Sequence, residues 1–531
     1  MSTSNTTDIR VEIVRNKLSL FCVCACPHQM CRYPHAGSTM YRDWHFVLVV
    51  VSLFILHGTR SEAFSPLAQR RSSVFRSTTS FISSSRSVRS MSLSLQEETI
   101  SISDAFDGGN GEYVKTEMVD GVKTVFVRIR PDPYTELEQK THFQYFSFRA
   151  TSKTPKEETI KYVIENAGDA SYAIAWNGST TFYTCTDPND PNSWKRKLDT
   201  SYDSSAGTLS WSHAHSKGGG SVCFSYFPPY SYNRHLALIS QCASSREDSC
   251  AVRTLGQTLD GREMECITVG RGTRQCWIIH RQHPGETMAE FYAEGLLTRL
   301  LGLDTNGCID GLTKHLMQKY TFRIVPNMCP DGSSRGHLRT NAQGQNLNRE
   351  WANTGHEGEE HYYQAPTVKR SPEVHCVLQE MDKTGVDVFL DVHGDEELPF
   401  NFLAGAEGCP NWGPRLEHLQ GAFLASYSRA NSDMQIPVAY EPEEPGEGRM
   451  NVCSNQIACR FDCLAVTLEM PFKDCLSHSD PEFGWSPSRA KMLGASVLDA
   501  LGYVHPYLRE EGEFWVNFKE EDKYVRPTEK Y

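Results

Sequence analysis

No segment of this 531-residue sequence is apolar for long enough to cross a bilayer. The best run, Phe46–Leu56, covers eleven residues, and a spanning helix needs about 20, so no stable membrane span is expected in the mature protein. A basic excess is missing from the body as well. Residues 96–531 carry 42 Lys and Arg against 61 Asp and Glu, which removes the positive footprint that nucleic-acid binding requires. A cysteine framework is also absent. Cys22, Cys24, Cys26 and Cys31 cluster without partner histidines or a second pair at finger spacing, and the other fourteen cysteines are scattered. Most of those fourteen read as buried thiols rather than a disulfide scaffold, with Cys463 in the core. There is no internal repeat. What is present, 39% hydrophobic and 22% charged residues, describes a globular protein with room for two domains and extensions.

Residues 1–95 differ from the rest and read as a targeting region. They hold eleven Lys and Arg and four acids. Phe46–Leu56 has the length of a signal-peptide core, with Ser61-Glu62-Ala63 as its cleavage region. Phe64–Gln96 is Ser-rich and carries Arg70, Arg71, Arg76, Arg86 and Arg89 without one acid, the composition of a transit peptide. The pair resembles the bipartite presequences of algae with complex plastids. Such a signal begins near the amino end, which makes Met40 the expected start. The expectation is a plastid protein delivered by the secretory route, with a secreted or cytoplasmic protein as the alternative.

Residues 100–235 read as a β-rich domain. Lys123–Ile129 alternates as a half-buried strand does. Ala173–Trp176 and Thr180–Cys185 flank Asn177-Gly178, which predicts a hairpin and accounts for Asn177-Gly178-Ser179 without a glycan. His213 and His215 are a weak ligand pair, expected in a strand or loop. Residues 240–508 alternate strands and helices in the α/β manner. Strands are predicted at Cys276–His280, Thr321–Val325, Val386–Val392 and Leu464–Met470. Helices are predicted at Thr287–Leu301, Arg415–Arg429 and Pro487–Leu501, the last capped by Ser486 and stopped by Gly502. Residues 509–531 are charged and predicted to form a loose tail.

The chemistry concentrates at strand ends. His283-Pro284-Gly285-Glu286 lies where Cys276–His280 turns into a helix, so both side chains can converge on one ion. His393 follows Val386–Val392 directly. Two histidines and one carboxylate make the incomplete shell of a catalytic zinc, with a fourth position for water. Leu464–Met470 ends in Glu469, and a buried strand terminus is a costly place for an idle charge. At the C-terminal edge of an α/β sheet it is where functional groups collect.

The order His-Pro-Gly-Glu, Pro330-Asp331-Gly332, Arg339-Thr340-Asn341, Asn346-Leu347-Asn348-Arg349, His393, Glu469 resembles the funnelin zinc carboxypeptidases. Within them it is similar to the cytosolic carboxypeptidase branch, which the Pro-Gly pair and Phe224-Ser225-Tyr226-Phe227-Pro228-Pro229-Tyr230-Ser231-Tyr232 both mark. Leu468–Lys473 resembles the shorter, bacterial-type members. The resemblance implies a mixed β-sheet with flanking helices, preceded by an all-β sandwich. It implies one zinc on His283, Glu286 and His393, Glu469 as general base and acid, and Arg339 at the oxyanion. It implies Asn348 and Arg349 on the substrate's C-terminal carboxylate. The branch removes acidic residues, glutamate above all, and Arg460 is the one basic residue of Asn451–Leu468 that could receive such a side chain. The substrates implied are peptide or protein C-termini with acidic ends. The related enzymes close a tyrosine over the substrate; Glu441–Leu468 has none, and Tyr440 is the nearest.

Two other readings stay open on the sequence. One is a zinc amidohydrolase for small N-acyl amino acids. The other is a pseudoenzyme that binds acidic tails through its β-domain.

Overall fold

A computed structural model describes residues 100–136, 140–245, 248–304, 306–352 and 365–527. The targeting signals expected in residues 1–95 lie outside the described residues. Ten strands open the fold: β1 (Ile100–Ser103), β2 (Glu112–Val119), β3 (Val122–Arg128), β4 (Ser147–Ser152), β5 (Glu158–Ile164), β6 (Thr181–Thr184), β7 (Lys195–Lys197), β8 (Ser201–Asp203), β9 (Thr208–His215) and β10 (Gly220–Ser225). They form two five-stranded sheets, in the orders β1-β4-β10-β6-β7 and β2-β3-β5-β9-β8. Inward-facing side chains of both sheets meet in an aromatic core that includes Phe146, Phe148, Tyr162, Trp211 and Phe224. These large rings, with aliphatic residues such as Val125, Ile160 and Leu209, fill the space between the sheets. His215, in β9, is buried and bonded to the Tyr162 hydroxyl at 2.7 Å, a structural role.

The predicted hairpin does not form. Ala173–Trp176 is a short 3-10 helix, and β6 pairs with β10 and β7 instead. Trp176 is drawn inward, donating from Nε1 to the Ala167 carbonyl at 2.9 Å. Four apolar residues are too few for alternation to separate strand from helical turn.

The second domain is built on a seven-stranded sheet of β11 (Cys250–Gln257), β12 (Glu263–Val269), β13 (Arg274–His280), β14 (Tyr320–Val325), β15 (Val388–Val392), β16 (Phe402–Ala404) and β17 (Leu464–Glu469), in the order β11-β12-β14-β13-β15-β17-β16. The four central strands are parallel, and β13, β15 and β17 are buried along most of their length, which explains their apolar runs. Around the sheet lie α1 (Tyr232–Ala243), α2 (Met288–Leu301), α3 (Gly311–Lys319), α4 (Pro330–Arg335), α5 (Pro372–Thr384), α6 (Pro414–Ala430), α7 (Cys453–Phe461) and α8 (Pro487–Val504). β14 lies on one side of β13 and β15 on the other. Strand order therefore reverses at β13, and a crevice opens at the C-terminal ends of β13 and β15.

Two further expectations need correction. Gly502 does not stop α8, which runs on to Val504. Its missing side chain serves packing, since a Cβ there would stand 3.1 Å from Leu312 Cδ1 on α3. Nor is the C-terminal segment loose as far as residue 527. Phe518 is buried against the core, and Asp522 accepts from Tyr503 Oη and pairs with Arg429, both at 2.7 Å. Its aromatic residues, set between charges, anchor it. No helix among the described residues is long and apolar enough to cross a membrane.

Candidate metal centre and substrate cleft

His280 closes β13, and the chain turns sharply through residues 281–287 into α2. Gly285 is required in that turn, because a Cβ would meet the Leu338 carbonyl at 2.9 Å. The turn brings His283 Nδ1 to 2.6 Å from Glu286 Oε1. From the end of β15, His393 Nδ1 lies 2.9 Å from Glu286 Oε2 and 3.2 Å from His283 Nδ1. One ligand atom from each of the three residues falls within 4.8 Å of the others, and all three are buried.

The remaining ring nitrogens are already engaged. His283 Nε2 faces Asn346 Oδ1 at 3.1 Å, and His393 Nε2 faces Asp391 Oδ2 at 2.8 Å. With an acceptor on each Nε2, both Nδ1 atoms keep their lone pairs for an ion. Gln282 donates to Asp391 Oδ2 at 2.5 Å and accepts from Trp351 Nε1 at 3.0 Å. Burial, with the Arg339 cation, pushes His283 down to about 3, so its imidazole is neutral at pH 7, as a metal ligand must be. Burial opposes charge on His393 too, but Asp391 and Glu286 outweigh it and hold that histidine well above its usual value. Burial would raise Glu286, yet the two histidines hold it below the carboxylate range. The donor set of two imidazoles and a carboxylate fits zinc.

The cluster opens on a cavity of about 480 Å³. His283, Glu286, Arg339, Asn348, Arg349 and Glu469 all line it. Asn348 is fixed by the Cys453 N–H, which donates to its Oδ1 at 2.9 Å. Behind it, Glu350 accepts both Arg370 nitrogens at 2.9 Å and the Ser371 hydroxyl at 2.9 Å, bracing the turn. Glu469 Oε2 is buried and finds no hydrogen-bond partner among the described residues. Burial pushes the Glu469 carboxyl well up; His393 opposes this, while Glu286, Asp395 and Glu396 add to it.

Arg460 is not in this cavity. It lies on α7 and forms a two-point pair with Asp382, at 2.7 and 2.8 Å, on the outer surface. Most of the approach to Glu469, Cys453–Phe461, is helix α7. The start of that helix and its cap residue present Val452, Ser454 and Asn455 to the cavity instead. Tyr440 does line the cavity, with its hydroxyl donating to Asp395 Oδ2 at 2.5 Å.

Several residues escaped the sequence reading. Asp391 precedes His393 by two positions on one strand, hence on the same face, and that spacing was a usable signal. Tyr172 reaches the cavity from the sandwich domain, and no local pattern announces it. The Arg339 cation pulls its phenol down, but burial and the acids Glu396, Glu286 and Asp395 push it up to about 12.

Comparison with known proteins agrees with this geometry. Residues 102–227 match the cytosolic carboxypeptidase N-terminal domain, and residues 235–471 match the zinc carboxypeptidases. An uncharacterized protein of Zymomonas mobilis is 40% identical over 415 residues, 78% of this chain and 99% of that protein. The metallo-carboxypeptidase of Pseudomonas aeruginosa, solved with (2-guanidinoethylmercapto)succinic acid, is similar at 36% identity and a TM-score of 0.67, over 77% of this chain and 100% of that one. Human cytosolic carboxypeptidase 6 is 24% identical over 190 residues, about a third of either protein. The chain belongs to the zinc carboxypeptidase family, in the branch that carries the cytosolic carboxypeptidase N-terminal domain, and is a metallocarboxypeptidase.

Proposed function

We propose that the chain releases single amino acids from peptide or protein C-termini, with Glu469 as the proton carrier. The observation that supports this most directly is the unpartnered Glu469 Oε2, on the same cavity as His283, Glu286 and three cationic or amide side chains. Zinc held by His283, Glu286 and His393 would supply Lewis acidity and an acidified water. Glu469 takes one proton from the attacking water and returns it to the leaving nitrogen as the C–N bond breaks. Arg339 carries positive charge to the carbonyl oxygen as it becomes an oxyanion. Arg349 and Asn348 hold the terminal carboxylate, for which a guanidinium fork is the fitting partner, and this restricts cleavage to chain ends.

The side chain released is a separate matter. With Arg460 outside the cavity, an acidic preference would rest on Arg449, the one further cation among the described residues of the wall, whose Nε lies 3.8 Å from Glu443. Against it stand Glu397, Glu407, Glu441 and Glu443 on the same wall. These favour a cationic side chain, and the Pseudomonas relative was solved with a compound joining succinic acid to a guanidino group. The pseudoenzyme reading loses ground because a binding module needs no proton carrier, and the amidohydrolase reading because both domains match carboxypeptidases. We also propose a plastid location by the secretory route, on the composition of residues 1–95; an intact residue 1 on the native protein would refute it.

The test is the purified chain with peptides ending in Glu, Lys and Leu, with and without zinc. Release of the last residue alone is expected, lost on chelation and regained with zinc. Arg349→Lys should weaken KM, since the two-point grip is lost. Cleavage within chains, or no release at all, would overturn the reading.

A further inference from the structure

We propose that Asp132, a residue of the sandwich domain, is a positioning residue for Arg339 and makes that domain a working part of the active site. The inference rests on the oxyanion role given above to Arg339. Asp132 lies beyond β3 and is 4% exposed. Its Oδ1 accepts the Leu338 N–H at 2.7 Å. Its Oδ2 accepts the Arg339 N–H at 2.8 Å, the Thr340 N–H at 2.9 Å and the Thr340 hydroxyl at 3.1 Å. Three successive backbone N–H groups thus converge on one carboxylate, and each bond is charge-assisted.

The loop so gripped has no regular structure of its own, since residues 337–346 lie between α4 and a short 3-10 turn. Fixing the peptide planes on both sides of residue 339 fixes the direction in which its side chain leaves the backbone. That side chain lines the cavity. The same loop touches the ligand turn, because the Leu338 carbonyl accepts the Gly285 N–H at 2.9 Å. Neighbouring parts of the sandwich add to the brace. Gly108 N–H donates to the Ser334 carbonyl at 2.9 Å, and Asn110 Nδ2 to the Gly336 carbonyl at 3.1 Å. Tyr172, from the same domain, lines the cavity beside Arg339. A bond made merely to glue two domains would not need to fall on the three residues centred on Arg339.

A double-mutant cycle in the full chain tests this. Arg339→Ala should lower kcat by ~10²–10³-fold, the usual loss for an oxyanion group. Asp132→Asn should lower kcat by ~10-fold or more while zinc affinity and KM stay within about twofold of wild type, and should cost nothing further in the Arg339→Ala background. Equal losses in both backgrounds, or none in either, would overturn the proposal. If Arg339→Ala keeps its kcat, the oxyanion reading has failed first and the proposal falls with it. Should Asp132→Asn not fold, Thr340→Val, which removes one of the four bonds, decides. It should show a smaller loss in the wild-type background that vanishes with Arg339→Ala; a loss that persists overturns the proposal.

Discussion

Replacing Asp391 by asparagine changes almost no volume, yet it should loosen the metal centre. Asp391 Oδ2 accepts from His393 Nε2 at 2.8 Å and from Gln282 Nε2 at 2.5 Å, while its Oδ1 is buried with no partner among the described residues. An asparagine oxygen can keep one or both bonds, but its amide must then bury two N–H donors where Oδ1 stood. It also removes the negative charge that makes His393 a basic ligand. Loss of such an outer partner typically costs 10–100-fold in metal affinity, or ~1.4–2.7 kcal/mol. Asp391 has no exposure, and water cannot replace what is lost, so the upper end of that range is expected. Competition with a chromophoric chelator gives the zinc dissociation constant, and kcat at saturating zinc gives the remaining chemistry. A constant raised ~100-fold with kcat largely restored is the expected result. An unchanged constant would refute the view that Asp391 prepares His393 for the ion.

Glu469→Gln should retain zinc and lose ~10²–10⁴-fold in kcat, since an amide cannot carry the proton; near-normal turnover would remove Glu469 from the mechanism. Arg460→Ala should leave kcat, KM and the preference among C-terminal residues unchanged, because the partner of this exposed cation is Asp382, and stability should fall by about 1 kcal/mol at most. Glu373, buried at the start of α5 and contacted by Asn341, is pushed by burial from 4.5 up to about 8, with Asp331 and Glu350 adding to the rise. A carboxyl raised by folding gives stability that is complete below its unfolded pKa and is lost as pH rises toward the folded value. Wild-type Tm should therefore fall between about pH 5 and pH 8 relative to Glu373→Gln, which has no proton to lose; parallel Tm curves would count against this.

The parts of the site that could be read from sequence are those whose chemistry is local. His283 and Glu286 share one turn, and His393 and Glu469 each stand at the end of a run too apolar to be anything but a buried strand. Arg460 failed because an α-helix fills the approach to β17. Five residues at about 100° each carry position 460 some 140° around that helix from Asn455, the residue that faces the cavity. The C-terminal segment failed differently, its charges masking aromatic anchors whose partners lie on α6 and α8. Asp132 was beyond reach for a third reason. It meets Arg339 across 207 residues of sequence, and only the finished fold brings them together.

The segment Phe224–Tyr232, first notable as a pattern, acquires a physical role in the structure. Arg281, two residues before His283, adopts a left-handed backbone with φ of 57°, which costs roughly 1–3 kcal/mol for a residue with a side chain. Its guanidinium donates to the Pro284 carbonyl at 2.9 Å, the Tyr230 carbonyl at 3.0 Å and Glu290 at 2.8 Å. Thr287 Oγ1 donates to the Pro228 carbonyl at 2.9 Å, and Tyr226 stacks on Phe472, just past Glu469, at 4.7 Å. The linker therefore contacts the chain on both sides of the site, at the ligand turn and beside the proton carrier. A turn this strained keeps its shape only while those contacts persist, which ties the geometry of the metal ligands to the docking of the sandwich.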